Sequence, residues 1–370
     1  MVRHLNALEI GAKLDGGKII VTVPTFRSDM VREADAIEEI ARIHGYENIQ
    51  ETLPSVPLQG KDSDAGRFVE NLRQALMSCG MQEVLTHSVI DPVNVELTGY
   101  GDKILSLRNP LSEDVSKMRT MLAANLLQVI ARNQSVGIRD LGVFEIGKVY
   151  SWSDKCEIDE HRSAAGAMVG SQWDGAWSLN REALAADFYM AKGALESALG
   201  RIGIKGLTFV ATEHPLLHAT RAAAVKVGDV EIGIIGEVSP DAREKLDLRG
   251  RPCVFEFNVE KLMPLVPETV GYRQLPRFPA LHRHLAVVMS KDIAYADAEK
   301  AIIESGGEII EEIELLDVYR GPQVGENEQN LTFSLVFRSP ERTLTDEEVN
   351  KVLESVKSKL ASAFGASFRG

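Results

Sequence analysis

The alternation of apolar and polar positions predicts a strand followed by a helix near the N-terminus. Residues Lys18–Val23 form a β-branched run that favours a strand, and Pro24 would end its ladder by removing a donor. A helix is predicted from about residue 30 to residue 44, because apolar positions recur there at helical spacing. Asp29 is expected to cap the start of this helix, and Gly45 suits the position after its end.

The middle of the chain mixes helical and strand patterns without a regular alternation. Helical spacing is found at 67–81, 118–134 and 187–203, and strand-like runs at 142–150 and 252–259. Two further apolar runs flank Gly228 and Asp229, which predicts a hairpin turn at these residues. The mixture predicts an α+β fold, in which a mainly antiparallel sheet is flanked by helices.

The last hundred residues show a clearer order of elements. Strands are predicted at 285–289, 309–319 and 330–337, a helix ends at Gly306-Gly307, and a short strand closes the chain. A second helix is predicted over 346–364, since Thr345 and Glu348 have the spacing of a capping box. The order βαββαβ is that of a ferredoxin-like domain.

Stretches rich in proline and glycine suggest where the domains begin and end. They separate an N-terminal region, a first linker, a central core, a second linker and a C-terminal domain. The predicted boundaries are 1–52, 53–66, 67–265, 266–276 and 277–370.

Composition and charge narrow the class of protein. The 370 residues include 41 Lys and Arg against 54 Asp and Glu, which gives a net charge of −13, and 44% are hydrophobic. These values fit a folded protein and argue against a general cationic binder of nucleic acid or membranes. Three widely spaced cysteines predict neither a disulfide framework nor a zinc site. Without a signal peptide or a long apolar run, we expect a cytoplasmic protein with no membrane partner.

Four carboxylates form the most concentrated cluster of candidate chemistry. On the first predicted helix, Asp35 lies beside Glu38 and Glu39, at spacings of three and four residues, and Asp29 stands near the helix start. Like charges this close repel one another, and Mg²⁺ would relieve the repulsion because it prefers carboxylate oxygens. A solvated acidic helix face is the alternative, and the spacing leaves both interpretations open.

Basic and aromatic residues in the C-terminal domain are candidates for RNA contacts. An arginine beside an exposed aromatic ring can hold a phosphate while the ring stacks on a base. The candidates are Arg277, Arg283, Tyr319, Arg320 and Arg342. Ion pairs with the many glutamates of this domain are the alternative role for the arginines. No nucleophile elbow, Walker loop or zinc-protease motif is present anywhere in the chain.

Several segments resemble bacterial phenylalanyl-tRNA synthetase β subunits. The segment VPTFRSDMVREADAIEEIARIHGYENI is similar to a family motif, and MRTMLAANLLQVIARNQ with GVFEIGKVY resembles the family's synthetase-like core, as do DFYMAKGALE and GIIGEVSP. The segments RFPALHRHLAVVM, LLDVYRG and SPERTLTDEEVN resemble its C-terminal ferredoxin-fold anticodon-binding domain. The resemblance covers nearly the whole chain, in the family's order.

This resemblance implies an α₂β₂ enzyme of class II that activates phenylalanine with ATP and attaches it to tRNA-Phe. The family's α subunit holds the active site and binds ATP, so no residue of this chain is expected to be catalytic. The central core would then be a non-catalytic relative of the class II fold. The four carboxylates match the family's Mg²⁺ ligands in a site shared with α.

The chain also departs from the family pattern. The resemblance begins only within the metal-binding domain, so we expect a truncated first domain and neither the N-terminal tRNA-binding domain nor the editing domain. Arg283-His284 stands where the family has Arg-Asp, and His214-Pro215-Leu216 where it has His-Pro-Gly. A truncated paralogue that serves as a non-catalytic RNA- or protein-binding regulatory module is therefore the alternative function.

Overall fold

A computed structural model describes residues 1–55, 60–90, 92–171, 185–267, 269, 271–272 and 274–368. Parts of both predicted linkers, residues 56–59 and residues 268, 270 and 273, lie outside the described residues. The chain forms two compact units, Met1–Pro267 and Glu268–Gly370. Among the described residues, no helix has the length and apolar character needed to cross a membrane.

The first fifty residues pack two helices against a hairpin. Their elements are α1 (Val2–Ala7), β1 (Gly11–Asp15), β2 (Lys18–Thr22) and α2 (Glu33–His44). The prediction of a strand at Lys18 is confirmed, whereas β1 and α1 were not predicted. The hairpin turns at Gly16 and Gly17, whose φ values of 53° and 83° favour glycine. A small core forms where Leu5, Ile10 and Met30 meet.

The remainder of the first unit contains a large sheet and its covering helices. Its elements are α3 (Asp64–Ser78), β3 (Gln82–Glu83), β4 (Val89–Ile90), α4 (Pro92–Leu97), β5 (Lys117–Met118), α5 (Ala123–Ser135), β6 (Leu141–Trp152), β7 (Ile158–Val169), α6 (Phe188–Arg201), β8 (Leu207–Ala211), β9 (Leu217–Val227), β10 (Val230–Val238), α7 (Pro240–Lys245), β11 (Cys253–Asn258) and α8 (Val259–Leu262). The prediction of a hairpin at Gly228 and Asp229 is confirmed by β9 and β10. Helix α3 begins within the predicted first linker, at Asp64, because Ser63 accepts the N–H of Gly66.

Seven strands form the sheet in the order β3-β6-β7-β11-β10-β9-β8. All neighbouring pairs are antiparallel except β3 and β6. Apolar side chains of α3 and α6 bury one face, and those of α5 bury the other. The prediction of an antiparallel sheet with flanking helices is therefore confirmed.

Small residues on β7 allow close packing against its neighbour. A Cβ atom on Gly166 would collide with the ring of Phe255 on β11 and with the side chain of Met81. Phe255 is fully buried. The absence of a side chain at Gly166 thus lets an aromatic ring cover the strand.

A buried carboxylate joins the sheet to the start of α5. Glu256 on β11 accepts the N–H of Leu122 at 2.9 Å and that of Ala123 at 2.8 Å. The hydroxyl of Ser163 donates to the same carboxylate at 2.7 Å. Burial raises the pKa of Glu256, and these three donors act in the opposite direction. The bonds anchor the helix over the β7–β11 pair.

The second unit has the βαββαβ order predicted from the sequence. Its elements are β12 (Leu281–Ser290), α9 (Tyr295–Gly306), β13 (Ile310–Tyr319), β14 (Glu328–Phe337), α10 (Asp346–Phe364) and β15 (Ser367–Phe368). The strands pair antiparallel in the order β13-β14-β12-β15, and α9 and α10 cover one face. The ferredoxin-like prediction is therefore confirmed.

Candidate functional site

The acidic helix α2 begins three residues later than the sequence pattern predicts. Its first residue is Glu33, and Arg32 occupies the N-cap position in an extended conformation. The carboxylate of Asp35 fixes this start, because it accepts the N–H groups of Val31 and Arg32, each at 2.7 Å. The prediction of Asp29 as the N-cap is wrong, since Asp35 already binds the exposed backbone donors.

An arginine bridges two of the four predicted metal ligands. The guanidinium of Arg27 donates to Asp29 at 2.7 Å and to Glu39 at 3.0 Å. Arg42 donates to the other oxygen of Glu39 at 2.6 Å. These partners lower the pKa values of Asp29 and Glu39, and the two carboxylates raise that of Arg27. Guanidinium groups therefore supply positive charge where the sequence suggested a metal ion.

The described arrangement offers no ready magnesium site. Glu39 is held by two arginines. Asp35 accepts two backbone N–H groups, which lower the pKa of its carboxyl group. Glu38 is exposed and belongs to no described ion pair. Within the described ranges, no group of three or more His, Cys, Asp or Glu side chains is placed to hold a metal ion. Magnesium binding by the four carboxylates stays a prediction.

In the C-terminal unit, two of the five RNA candidates meet at the start of α10. Arg283 on β12 pairs with Asp346, the first residue of that helix. Arg342 donates from both terminal nitrogens to Glu348, at 2.8 and 2.5 Å. Glu348 also accepts the N–H of Thr345 at 2.9 Å, so the predicted capping box is confirmed. Both arginines are partly neutralised by acids of the helix's first turn.

Two other candidates lie near the opposite end of the sheet. Tyr319 ends β13 opposite Asn330, and Gly321 in the following turn passes close to its ring. The guanidinium of Arg320 donates to the side-chain oxygen of Gln329, at 2.8 and 3.1 Å. This bond leaves the arginine its full positive charge, since its partner is a neutral amide.

The strand register separates Arg283 from Tyr319. They lie opposite Leu335 and Asn330, which are five residues or about 17 Å apart along β14. An odd separation also places them on opposite faces of the sheet, with Arg283 on the helix-covered side. Arg277 precedes β12, is exposed and has no ion-pair partner among the described residues. The five candidates therefore do not form one contiguous surface.

Comparisons with known proteins match most of the chain, in three successive segments. Residues 49–259 match the family described as the phenylalanyl tRNA synthetase beta chain CLM domain. The chain belongs to that family. Residues 276–369 match the ferredoxin-fold anticodon binding domain, and residues 1–46 match the tRNA synthetase B5 domain. The fold assigned above to the C-terminal unit is thus that of an anticodon-binding domain of the phenylalanyl-tRNA synthetase β-chain family.

Curated relatives from this family are similar over nearly all of the chain. The phenylalanine–tRNA ligase β subunit of Symbiobacterium thermophilum is 39% identical over 95% of this chain and 40% of its own length. That of Moorella thermoacetica is 37% identical over 95% of this chain and 44% of its own. The chain therefore spans less than half the length of these relatives. A solved pyrrolysyl tRNA synthetase from Desulfitobacterium hafniense overlaps 53% of this chain and 64% of its own, at 18% identity and a TM-score of 0.43.

The sequence alone did not identify the residues that hold the candidate side chains in place. Arg27 stands two residues before Asp29, but its bond to Glu39 spans twelve residues and needs the turn before α2. Gln329, which holds Arg320, is nine residues away, on the neighbouring strand. The alternation of charges around Arg27 indicates its pairing with Asp29, because the two residues are close in the sequence. The contact of Arg320 with Gln329 depends on strand pairing, which local sequence does not indicate.

Proposed function

We propose that this chain acts as the β-subunit portion of a phenylalanine–tRNA ligase. It supports the ATP-dependent attachment of phenylalanine to tRNA-Phe by assembling with a catalytic α subunit and by contacting tRNA. The observation that carries the proposal is the succession of three matched domain families along one chain. ATP and phenylalanine are assigned to the α subunit, so the residues of this chain bind and orient and do not take part in the chemistry.

An exposed apolar groove near the acidic cluster supports assembly with a partner subunit. Val31, just before α2, is 82% exposed, and Ile37 on α2 is 58% exposed. Ile20 on β2 is 44% exposed. These side chains line one groove of about 740 Å³. Exposed apolar side chains gain favourable free energy when a partner removes them from water. We assign this groove to the interface with the α subunit, and we expect the pair to form an α₂β₂ tetramer.

The charge distribution of the C-terminal unit supports contact with RNA through few residues. The domain is acidic, so broad electrostatic attraction cannot hold tRNA. Arg277 and Arg320 keep unneutralised guanidinium groups, and Tyr319 offers a ring at the end of the sheet. A few placed arginines and aromatics suffice to recognise a shaped RNA. We therefore assign tRNA contact to Arg277, Tyr319 and Arg320 in preference to Arg283 and Arg342.

Co-purification with an α subunit of the same source tests the proposal. The chain should form a stable complex that charges tRNA-Phe with phenylalanine, whereas neither subunit alone should do so. Ile37→Asp in the apolar groove should abolish the complex, and Leu316→Asp, at an exposed site of the C-terminal sheet, should not. A complex without charging activity would favour the non-catalytic binding module, and the absence of any complex would contradict the assembly role.

A further inference from the structure

Strand β2 is paired along one edge only. The two-stranded sheet of the first fifty residues joins β2 to β1, and no other described strand extends it. The groove of about 740 Å³ that is assigned above to the α-subunit interface is lined by the consecutive residues 18–21 of β2. Because side chains alternate between the two faces of a strand, a groove that touches successive residues follows the edge of the strand.

The register of the hairpin shows which backbone groups are free at this edge. Its two-glycine turn makes Asp15 and Lys18 a hydrogen-bonded pair. Such pairs alternate with non-hydrogen-bonded ones along an antiparallel ladder, so Ile19 and Val21 direct their N–H and C=O groups away from β1. In the part of the chain that the structure describes, no backbone hydrogen bond reaches these two residues from another element. The edge therefore presents two donors and two acceptors, in two groups about 7 Å apart.

The opposite wall of the groove is an amphipathic helix whose apolar face is uncovered. Ala36, Ile37 and Ile40 recur at helical spacing on α2, and all three line the groove. None of the twelve residues of α2 is buried, and the core of this region consists of three buried residues. Helices in proteins gain most of their stability by packing such a face, so the apolar face of α2 lacks a cover that the described residues do not supply.

An extended segment is the occupant that satisfies both walls of the groove. Its backbone can pair with the free N–H and C=O groups of Ile19 and Val21, as a third strand of the sheet. The side chains of these two residues pack against the small core, so every second side chain of an added strand faces the same helix-covered side. Those side chains would cover Ile37 and Ile40. A helix cannot do this, because its N–H and C=O groups are already bonded to each other.

The charges argue for a different polypeptide and against a second copy of this chain. The chain carries a net charge of −13, so two copies repel each other. The charged side chains that line the groove are those of Lys18 and Arg32 against that of Glu33, an excess of one positive charge. This excess favours a neutral or acidic segment over a basic one.

We propose that the α subunit contributes an extended strand that pairs with the free edge of β2 and packs its alternate apolar side chains against α2. This inference rests on the proposed function, because it specifies how the groove assigned to α is filled. The added segment matches the five residues of β2 in length and is apolar at every second position. With it, the hairpin becomes a three-stranded sheet and α2 gains a buried face.

Hydrogen exchange at single amides tests the pairing in the full chain, alone and in complex with α. Without α, the amides of Ile19 and Val21 should exchange faster than those of Ile20 and Thr22, which are bonded to β1. In the complex, exchange at Ile19 and Val21 should slow at least about tenfold, and more than at Ile20 and Thr22. A complex in which Ile19 and Val21 exchange as fast as before would overturn the strand pairing and leave assembly intact. The absence of a complex would overturn both.

Two variants of Val21 separate the backbone contact from the side chain. Val21→Pro removes an outward-facing N–H, which an edge strand tolerates, so circular dichroism should show that the free chain stays folded. It should weaken α binding at least about tenfold more than Val21→Ala, which keeps the N–H. Equal effects of the two variants would contradict the pairing. Slow exchange at Ile19 and Val21 in a concentrated solution of the chain without α would identify a second copy as the occupant and overturn the assignment to α.

Discussion

The guanidinium of Arg119 and the carboxylate of Glu145 form an ion pair of 2.7 Å inside the first unit. Their side chains are only 5% and 2% exposed. Thr86 completes the network, because its hydroxyl donates to Glu145 at 2.6 Å and accepts from Arg119 at 3.0 Å. Since Arg119 immediately precedes Thr120, this network also positions the segment that enters α5.

Breaking this pair on one side should destabilise the chain far more than removing it altogether. Arg119→Met leaves Glu145 as a buried, unpaired charge, at an expected cost of about 3–5 kcal/mol in the free energy of unfolding. The double variant Arg119→Met/Glu145→Leu should recover much of that loss, since no buried charge remains. Denaturant unfolding followed by circular dichroism measures both. A double variant as unstable as the single one would contradict this account.

The bridge from Arg27 predicts that magnesium and arginine compete for the same carboxylates. Arg27→Gln frees Asp29 and one of the two carboxylate oxygens of Glu39, and should tighten Mg²⁺ binding, measured by calorimetry, by on the order of tenfold. Adding Asp29→Asn and Glu39→Gln to that variant should abolish the gain. Unchanged binding in Arg27→Gln would contradict the competition. Tight binding by the unmodified chain would instead support the metal site predicted from the sequence.

The capping glutamate of α10 should titrate at unusually low pH. Hydrogen bonds from Arg342 and from the N–H of Thr345 lower the pKa of Glu348 from its ordinary 4.5 to about 2. Its contribution to stability is therefore complete above pH 4.5 and is lost as the pH falls towards 2. Carbon NMR of labelled glutamate should give this pKa, and Arg342→Gln should raise it towards 4.5. A value near 4.5 in the unmodified chain would disprove the pairing.

The free guanidinium of Arg277 should matter more for tRNA binding than the paired one of Arg342. If Arg277 contacts a phosphate, Arg277→Ala should weaken tRNA binding several-fold and reduce the slope of log affinity against log salt by about 1. Arg342→Ala should have a smaller effect, because Glu348 already neutralises that side chain. Filter binding by the complex with α at several salt concentrations measures this.

Lys300 provides the matched control for this comparison. It is exposed on α9, in the helix layer of the domain, and has no ion-pair partner in the described part of the chain. Lys300→Ala removes the same charge and should leave the salt slope unchanged. Equal effects of Arg277→Ala and Lys300→Ala would indicate that net charge, and not a placed contact, governs binding.

Patterns between residues close in the sequence predict most of the fold. The capping box at Thr345 sets the start of α10, and the glycine turn at Gly228 sets the β9–β10 hairpin. Both depend on contacts within a few residues, which a sequence pattern reports directly. The start of α2 was mistaken because Asp29 and Asp35 are both plausible caps, and only the path of the backbone between them decides which one binds the free N–H groups.

The features that the sequence does not predict depend on contacts between residues far apart in the chain. The separation of Tyr319 from Arg283 follows from the register of three strands, which no spacing along the chain encodes. A cavity of about 390 Å³ in the first unit draws its walls from segments as far apart as Tyr100 and Lys261.

The carboxylate of Glu256 has a consequence for how the first unit opens. It holds the N–H groups of Leu122 and Ala123 across 133 residues or more of chain. The first turn of a helix usually frays, and its amide protons then exchange quickly with solvent. Here fraying would leave a buried carboxylate with only one of its three donors, Ser163, so these two amides should exchange only when β11 leaves the sheet. The start of α5 and the centre of the sheet thus form one cooperative unit.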